Sequence, residues 1–172
     1  MRLARLLLCA SLVLAPALAR AEAWEAFFNP FLGDLRAELA DARAAGRKGT
    51  VVMYHFDACP YCARMKADVL SRPEVQQAYA RDFAALAIDT RGAVAITGTD
   101  GRTLPERDYA KAQGVRGTPT FDFLSTDGTR LYRHVGALYD PADFILLERY
   151  VATGAYRSHS FAEYRLLKPK GS

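Results

Sequence analysis

Two cysteines, Cys59 and Cys62, stand three positions apart and are the residues of this 172-residue chain best suited to chemistry. The remaining cysteine, Cys9, lies in an N-terminal apolar stretch that we expect to be removed from the mature protein. The pair then has no other cysteine to bond with. Two thiols at this spacing can bond to each other, bind a metal ion or carry out redox chemistry.

The segments around the cysteines predict a strand followed by a helix. Residues 50–56 are rich in β-branched and aromatic side chains, which favours a buried strand. Pro60 suits the first turn of a helix, and the helical pattern continues to about Leu70. Cys59 is therefore expected at a strand-to-helix junction, immediately before the helix.

The rest of the chain predicts a single α/β domain. A strand–helix–strand crossover followed by an antiparallel pair makes a mixed central sheet with helices on both faces. Ser71 is expected to cap the helix that follows the cysteine helix. The predicted helices cover 24–45, 60–70, a stretch from about 71, 105–113, 140–152 and 160–167. In the first of these, Pro30 should kink the segment or start its main helix. The predicted strands cover 50–56, 82–89, a hairpin within 94–104, 120–124 and 130–134.

The N-terminus predicts export. Residues 1–21 combine a basic start, an apolar run at 6–14 and a small-residue cleavage pattern, as a secretory signal peptide does. This segment holds three arginines and no acid, so its loss lowers 23 basic residues to 20, against 19 acidic ones. A nucleic-acid-binding surface would normally keep a larger positive excess, so we expect no nucleic-acid partner. The expected location is an oxidising compartment, the periplasm.

Three features together resemble the thioredoxin fold. The segment from Phe56 to Cys62 resembles its active site, and the segment 115–121, with Thr118 and Pro119, resembles its cis-proline loop. Residues 136–144 resemble its closing strand, turn and helix. Two further segments, 96–101 and 160–164, are similar to bacterial periplasmic thioredoxin-related proteins of the SoxW type, which accompany sulfur oxidation.

The resemblance implies a domain organisation. Residues 1–21 would be the signal peptide and 22–47 an N-terminal helical extension. The thioredoxin-like domain would cover 48–155 and include a β-hairpin insertion, and 156–172 would form a short terminal helix and tail.

The resemblance also implies an activity. The protein would be a protein-disulfide oxidoreductase that reduces partner disulfides through a redox-active Cys59–Cys62 disulfide, without a cofactor or metal. Its partners would be exported proteins that contain cysteine, a membrane thiol–disulfide donor would supply its electrons, and it would act as a monomer.

The cysteine roles follow from their position. Free N–H groups and the dipole at a helix N-terminus favour a thiolate, so Cys59 is the predicted nucleophile. Cys62, one turn inward, would resolve the mixed disulfide. Pro60 and Tyr61 belong to the same site, and Tyr61 with Phe56 would offer apolar contact beside Cys59.

The resemblance also indicates further site residues, and this sequence departs from the family at one position, Met53. Pro119 would be cis and would leave the Thr118 backbone free to pair with an extended substrate segment. Met53 occupies the position where thioredoxins commonly carry a buried acid, so the proton acceptor for Cys62 is open. Asp57 and His55 are the candidates, although for His55 we favour a strand residue satisfied by hydrogen bonds.

Two alternative functions use the same cysteines. The protein could be a periplasmic disulfide oxidase or isomerase, since the redox direction depends on which form is stabilised. It could also be a copper- or zinc-binding module, with His55 or His134 completing the ligands. A closed zinc site usually has four ligands, and a second cysteine pair is missing from the sequence.

Overall fold

The computed structural model describes residues 23–167. The predicted signal peptide, with Cys9, and the last five residues lie outside them. The helices are α1 (Leu35–Ala44), α2 (Pro60–Met65), α3 (Pro73–Asp82), α4 (Glu106–Ala112), α5 (Pro141–Ala152) and α6 (Phe161–Leu167). The strands are β1 (Gly49–His55), β2 (Phe83–Asp89), β3 (Ala95–Thr97), β4 (Thr103–Pro105), β5 (Thr120–Ser125) and β6 (Arg130–Val135).

The main sheet has four strands in the order β2-β1-β5-β6. β1 runs parallel to β2 and antiparallel to β5, and β5 runs antiparallel to β6. The predicted mixed sheet flanked by helices is confirmed. The register pairs Tyr54 with Thr120, which brings the loop before β5 next to the end of β1. This pairing positions the site described below.

The sheet separates two apolar clusters. Successive side chains of a strand point to opposite faces, so Val51 and Met53 of β1 pack on one face, and Val52 and Tyr54 on the other. Both cysteines belong to the cluster on the Met53 face, together with aromatic residues from β5 and α5. The cysteine pair is therefore backed by a buried aromatic core.

The predicted N-terminal helix over 24–45 is wrong in its first half. Glu25–Phe27 form one 3-10 turn, and α1 begins only at Leu35. Asn29 exchanges two hydrogen bonds with Ala85 of β2, donating from its backbone at 2.8 Å and accepting on its side chain at 3.1 Å. Gly33 adopts a left-handed φ of +91°, and the Asp34 carboxylate then caps α1. Pairing with the sheet edge thus replaces helical hydrogen bonds in this segment.

The predicted hairpin insertion is confirmed as β3 and β4, which pair antiparallel in a separate two-stranded sheet. Its turn contains Gly101 at φ +80°, and the Asp100 carboxylate accepts a hydrogen bond from the Arg102 backbone at 3.0 Å. The insertion is short and contains no helix.

Ser71 does not cap α3. The α2 helix continues as a π-helical segment, Lys66–Leu70, and the Ser71 hydroxyl donates to the Ala67 carbonyl at 2.5 Å. The residue preceding α3 is Arg72, which makes no side-chain cap. The hydroxyl satisfies a carbonyl at the end of one helix and is therefore used before the next helix begins.

The C-terminal helix α6 begins with a reciprocal cap between Ser160 and Glu163. It packs on α5 through Tyr150, whose ring lies 5.4 Å from that of Phe161 and 5.2 Å from that of Tyr164. No helix within residues 23–167 is both long and apolar enough to cross a membrane.

Candidate active site

The two cysteines lie at the junction between the end of β1 and the start of α2. Cys59 is the residue immediately before α2, Pro60 occupies the first helical turn, and the Cys59 backbone N–H donates to the Phe56 carbonyl at 3.1 Å. Proline suits this turn because its fixed φ matches a helix and its missing N–H would have no partner there. Cys59 and Cys62 are bonded as a disulfide, with Cα atoms 5.2 Å apart.

Two polar hydrogens point at the sulfur of Cys59. The Cys62 backbone N–H donates to Cys59 Sγ at 3.1 Å, and the Thr118 hydroxyl donates to the same atom at 3.3 Å. Cys59 is 2% exposed and Cys62 1% exposed. The donors therefore act on Sγ in a nearly water-free environment, where such interactions are strongest.

The Thr118–Pro119 loop, which precedes β5, contributes the second donor to the Cys59 sulfur. The peptide bond between these two residues is cis, and Pro119 is buried. The loop is tied down by the Thr120 hydroxyl, which donates to the Gly117 carbonyl at 2.7 Å, and by the Gly136 N–H, which donates to the Pro119 carbonyl at 2.9 Å. The structure thus brings four of the sequence-predicted site residues together: Cys59, Cys62, Thr118 and Pro119.

Apolar side chains surround the cysteines at the surface. Tyr61 is 61% exposed, and Pro60 is also exposed. Phe56 is half-buried and its ring is covered by the guanidinium of Arg91, whose Cζ lies 3.7 Å from the ring centroid. Tyr61 is accordingly the large apolar side chain next to Cys59 that solvent reaches most freely.

Arg91 was not among the site residues predicted from the sequence. It follows β2, as Phe56 follows β1, and these two strands are parallel neighbours. Because the carboxyl ends of parallel strands meet at one edge of the sheet, the pairing of these two loops could have been anticipated. A second contact between an arginine and an aromatic ring was also not predicted. Arg64, two residues after Cys62, places its guanidinium 4.0 Å from the centroid of the Tyr139 ring.

Neither proton-relay candidate is hydrogen-bonded to a cysteine. Met53, at the position of the usual buried acid, is 1% exposed and packs in the same apolar cluster as Cys62. Asp57 is exposed in the loop after β1. His55 is half-buried and lies two residues after Met53 on the same strand, so its side chain is directed to the same sheet face.

The expectation that hydrogen bonds satisfy His55 is wrong. Its Nδ1 is buried and has no hydrogen-bond partner among residues 23–167. Burial, and secondarily the positive charge of Lys66, lower the pKa of His55 below its usual value of 6.5. The ring is therefore neutral at pH 7, and a buried nitrogen is left available next to the cysteine end of the sheet. Local sequence contains no signal for this, because it depends on what packs around the ring.

The histidine proposed as an alternative metal ligand lies in an aromatic environment. The ring of His134 on β6 is 6.0 Å from that of Phe161, and burial lowers its pKa. Within the part of the chain that the structure describes, His, Cys, Asp and Glu side chains do not form any group of three that could hold a metal ion.

The fold and the cysteine pair define a thioredoxin-like thiol–disulfide oxidoreductase. A family profile described as a thioredoxin-like domain matches residues 35–152, and the chain belongs to this family. The match starts at Leu35, so it includes α1, which the sequence analysis assigned to an extension before residue 48. No curated protein sequence matches the chain.

Solved structures agree with this family at the level of fold. A thioredoxin-fold protein from Helicobacter pylori superposes with a TM-score of 0.66 at 15% identity, covering 84% of this chain and 92% of that one. A thioredoxin from Thermus thermophilus gives a TM-score of 0.53 at 29% identity, with 72% and 92% covered. A putative disulphide-isomerase from Bacteroides thetaiotaomicron gives 0.55 at 23% identity, with 77% and 94% covered.

Proposed function

We propose that this protein is an exported, thioredoxin-like reductant of disulfides in partner proteins. The observation that carries the proposal is the pair of donors on Cys59 Sγ, the Cys62 N–H at 3.1 Å and the Thr118 hydroxyl at 3.3 Å. In the reduced protein these donors would stabilise a thiolate on Cys59, and the thiolate is the reactive form of cysteine.

Reduction of a partner takes two exchange steps. The Cys59 thiolate attacks one sulfur of the partner's disulfide, that S–S bond breaks, a mixed disulfide forms, and the partner's second sulfur leaves as a thiolate that takes a proton from solvent. Cys62 then loses its proton and attacks Cys59 Sγ, which releases the partner's first sulfur as a second thiolate. Two electrons reach the partner, and the chain ends with the Cys59–Cys62 disulfide seen in the structure.

The surrounding residues would bind the partner's segment. An extended segment would lie along the Thr118–Pro119 loop and pair with the Thr118 backbone, next to the sulfur that reacts. Tyr61, 61% exposed, and the exposed Pro60 offer apolar contact on the other side of Cys59. His55 or Asp57 would receive the proton of Cys62, and the buried, unpartnered Nδ1 favours His55.

The proposal includes a location, partners and an electron source. The signal-peptide pattern in residues 1–21 supports periplasmic export, and the partners would be cysteine-containing exported proteins. A membrane thiol–disulfide donor would return two electrons to the Cys59–Cys62 disulfide after each turnover. Segments 96–101 and 160–164 support membership of the SoxW type and a role in sulfur oxidation. We propose that the protein acts as a monomer and binds no nucleic acid.

Reduction rather than oxidation is supported by the segment between β2 and α4. This segment folds into the short β3–β4 hairpin and does not carry the larger helical insertion with which a disulfide oxidant would capture its substrates. The reduction potential of the cysteine pair tests this choice. A value near −270 mV, about that of thioredoxin, would support the reductant, and a value near −120 mV, about that of a strong periplasmic oxidant, would overturn it.

Trapping of partners tests the roles of the two cysteines. Cys62→Ser, expressed with its signal peptide, should accumulate partners as mixed disulfides on Cys59 because the resolving thiol is missing. Cys59→Ser is the matched control and should trap none. Equal trapping by both variants would refute the assigned roles, and stoichiometric copper or zinc retained by the reduced wild type through dialysis would instead support the metal-binding alternative.

A further inference from the structure

Two arginines border the surface around Cys59 from opposite loops. Arg91, after β2, lies over the Phe56 ring at 3.7 Å, and Phe56 accepts the backbone hydrogen bond of Cys59. Arg116 is exposed and stands two residues before Thr118, whose hydroxyl contacts the Cys59 sulfur. The Arg116 loop therefore contacts Cys59 directly through Thr118, and Arg91 contacts it indirectly through Phe56.

These two arginines differ from most others on the surface because they lack an acidic partner. Within residues 23–167, neither Arg91 nor Arg116 forms an ion pair. Five exposed arginines elsewhere pair with carboxylates close in sequence: Arg36 with Asp34, Arg64 with Asp68, Arg81 with Asp82, Arg102 with Asp100 and Arg107 with Asp108. Exposed Arg43 and Arg72 form no ion pair within residues 23–167 either, but their guanidiniums donate to backbone carbonyls.

The two guanidiniums supply the positive charges of these two loops. Asp57, exposed in the loop between Phe56 and Cys59, is the acid nearest to Cys59 in the chain, and the Asp89 carboxylate is already engaged by the Arg91 backbone N–H at 2.8 Å. A guanidinium stacked on an aromatic ring keeps its in-plane N–H donors free, and their fork matches a carboxylate in two parallel hydrogen bonds. The stack on Phe56 holds Arg91 in an orientation suited to such a contact.

We propose that Arg91 and Arg116 select partners whose reactive disulfide is flanked by acidic side chains. The substrate class is thus a protein segment with Asp or Glu next to its cysteine. Carboxylates on the segment would pair with the two guanidiniums while the cysteine faces Cys59. This inference rests on the proposed reductase function, because it names the partner of that same site.

Peptide reduction by the reduced full chain tests the proposal. Three peptides of one length, each with one internal disulfide, carry Glu, Gln or Lys on both sides of their cysteines. Each turnover oxidises the Cys59–Cys62 dithiol and reduces one peptide, and acid quenching followed by chromatography gives the rate. At low salt the Glu peptide should react about fivefold or more faster than the Lys peptide. The difference should vanish near 1 M salt, where the screening length is about 3 Å.

Charge variants locate the effect. Arg91→Gln and Arg116→Gln should each lower the Glu-to-Lys rate ratio by about twofold or more, and Arg116→Glu should reverse the order. Arg47→Gln is the matched control, because Arg47 also lacks an ion pair within the described residues and precedes the start of β1. The seven residues of β1 place it about 20 Å from the cysteine end, at roughly 3.3 Å per residue.

The outcomes separate the inference from the function on which it rests. If all three peptides are reduced at one rate, or if Arg47→Gln lowers the ratio as much as the Arg91 and Arg116 variants, the acidic-partner proposal is overturned and the reductase function stands. If no peptide is reduced at all, the reductase function itself fails.

Discussion

The hydroxyl of Thr118 lies 3.3 Å from the sulfur of Cys59, although 59 residues separate the two in the sequence. The Thr118 carbonyl is also near that sulfur, at 3.8 Å. One residue therefore presents a side chain and a backbone group to the atom that reacts. This contact exists because β5 pairs with β1 and places the loop before β5 beside the start of α2.

Removal of the Thr118 hydroxyl should make the Cys59 thiolate harder to form. Thr118→Val keeps the shape of the side chain and deletes the donor, and a hydrogen bond to a charged group contributes about 1.5–3 kcal/mol. In the reduced protein, the pH at which Cys59 becomes reactive to iodoacetamide should rise by about one unit. Thr118→Ser retains the hydroxyl and should stay near the wild type. An unchanged midpoint in Thr118→Val would show that this donor does not stabilise the thiolate.

Loss of His55 should slow resolution of the mixed disulfide. The pKa of His55 is lowered by burial and then by Lys66, so the neutral ring can accept the proton of Cys62 at pH 7. In His55→Gln the second step of a single turnover, followed by rapid quenching, should slow by about tenfold or more. Asp57→Asn tests the other candidate in the same assay. Normal resolution by His55→Gln together with slow resolution by Asp57→Asn would transfer the role to Asp57.

Glu148 should make the protein less stable at high pH. Its side chain is fully buried on α5, and burial and the neighbouring Asp82 carboxylate raise its pKa to about 8 from 4.5. The nearest cation, Arg81 Nη2, is 3.5 Å from the carboxylate. The folded state binds this proton more tightly than the unfolded state does. The contribution of protonated Glu148 to the free energy of unfolding is therefore complete below pH 4.5 and is lost as the pH rises through about 8.

Glu148→Gln removes this titration. The free energy of unfolding in urea should fall between pH 6 and pH 9 by about 2–3 kcal/mol more in the wild type than in the variant, since about two pKa units of the shift lie in this range and one unit corresponds to about 1.4 kcal/mol. Glu74→Gln, at an exposed position of α3, is the control and should follow the wild type. Parallel pH profiles for the wild type and Glu148→Gln would contradict the assignment.

Asp122 and Arg133 form a buried ion pair on the sheet face opposite the cysteines. Removing only one of the two residues should strongly destabilise the folded protein. Asp122 has a 2% exposed side chain and receives two hydrogen bonds from Arg133, at 2.6 and 2.5 Å. Asp122→Ala leaves that guanidinium without its carboxylate and should lower the free energy of unfolding by about 3–5 kcal/mol. The double variant Asp122→Leu, Arg133→Leu should lose less. A larger loss in the double variant would contradict this account.

Sequence patterns predicted the elements around the site because each depends on local signals. β1 follows from its β-branched and aromatic residues, and the start of α2 follows from Pro60. The β3–β4 hairpin follows from its Asp-Gly turn. Residues 28–34 were mispredicted as helix because their apolar spacing fits one. Pairing of Asn29 with the edge of β2 overrides that spacing and depends on a strand more than fifty residues later.

By itself, the sequence determined the pair of cysteines at a helix start and the fold that carries them, because residue type, spacing and proline position act locally. Only the tertiary structure decided what surrounds the cysteine loop: the Thr118 hydroxyl lies on the Cys59 sulfur, Arg91 lies over Phe56, and His55 Nδ1 is buried without a hydrogen-bond partner among residues 23–167. Burial and charge pairing depend on what packs against a side chain, and strand register sets that packing over the whole chain.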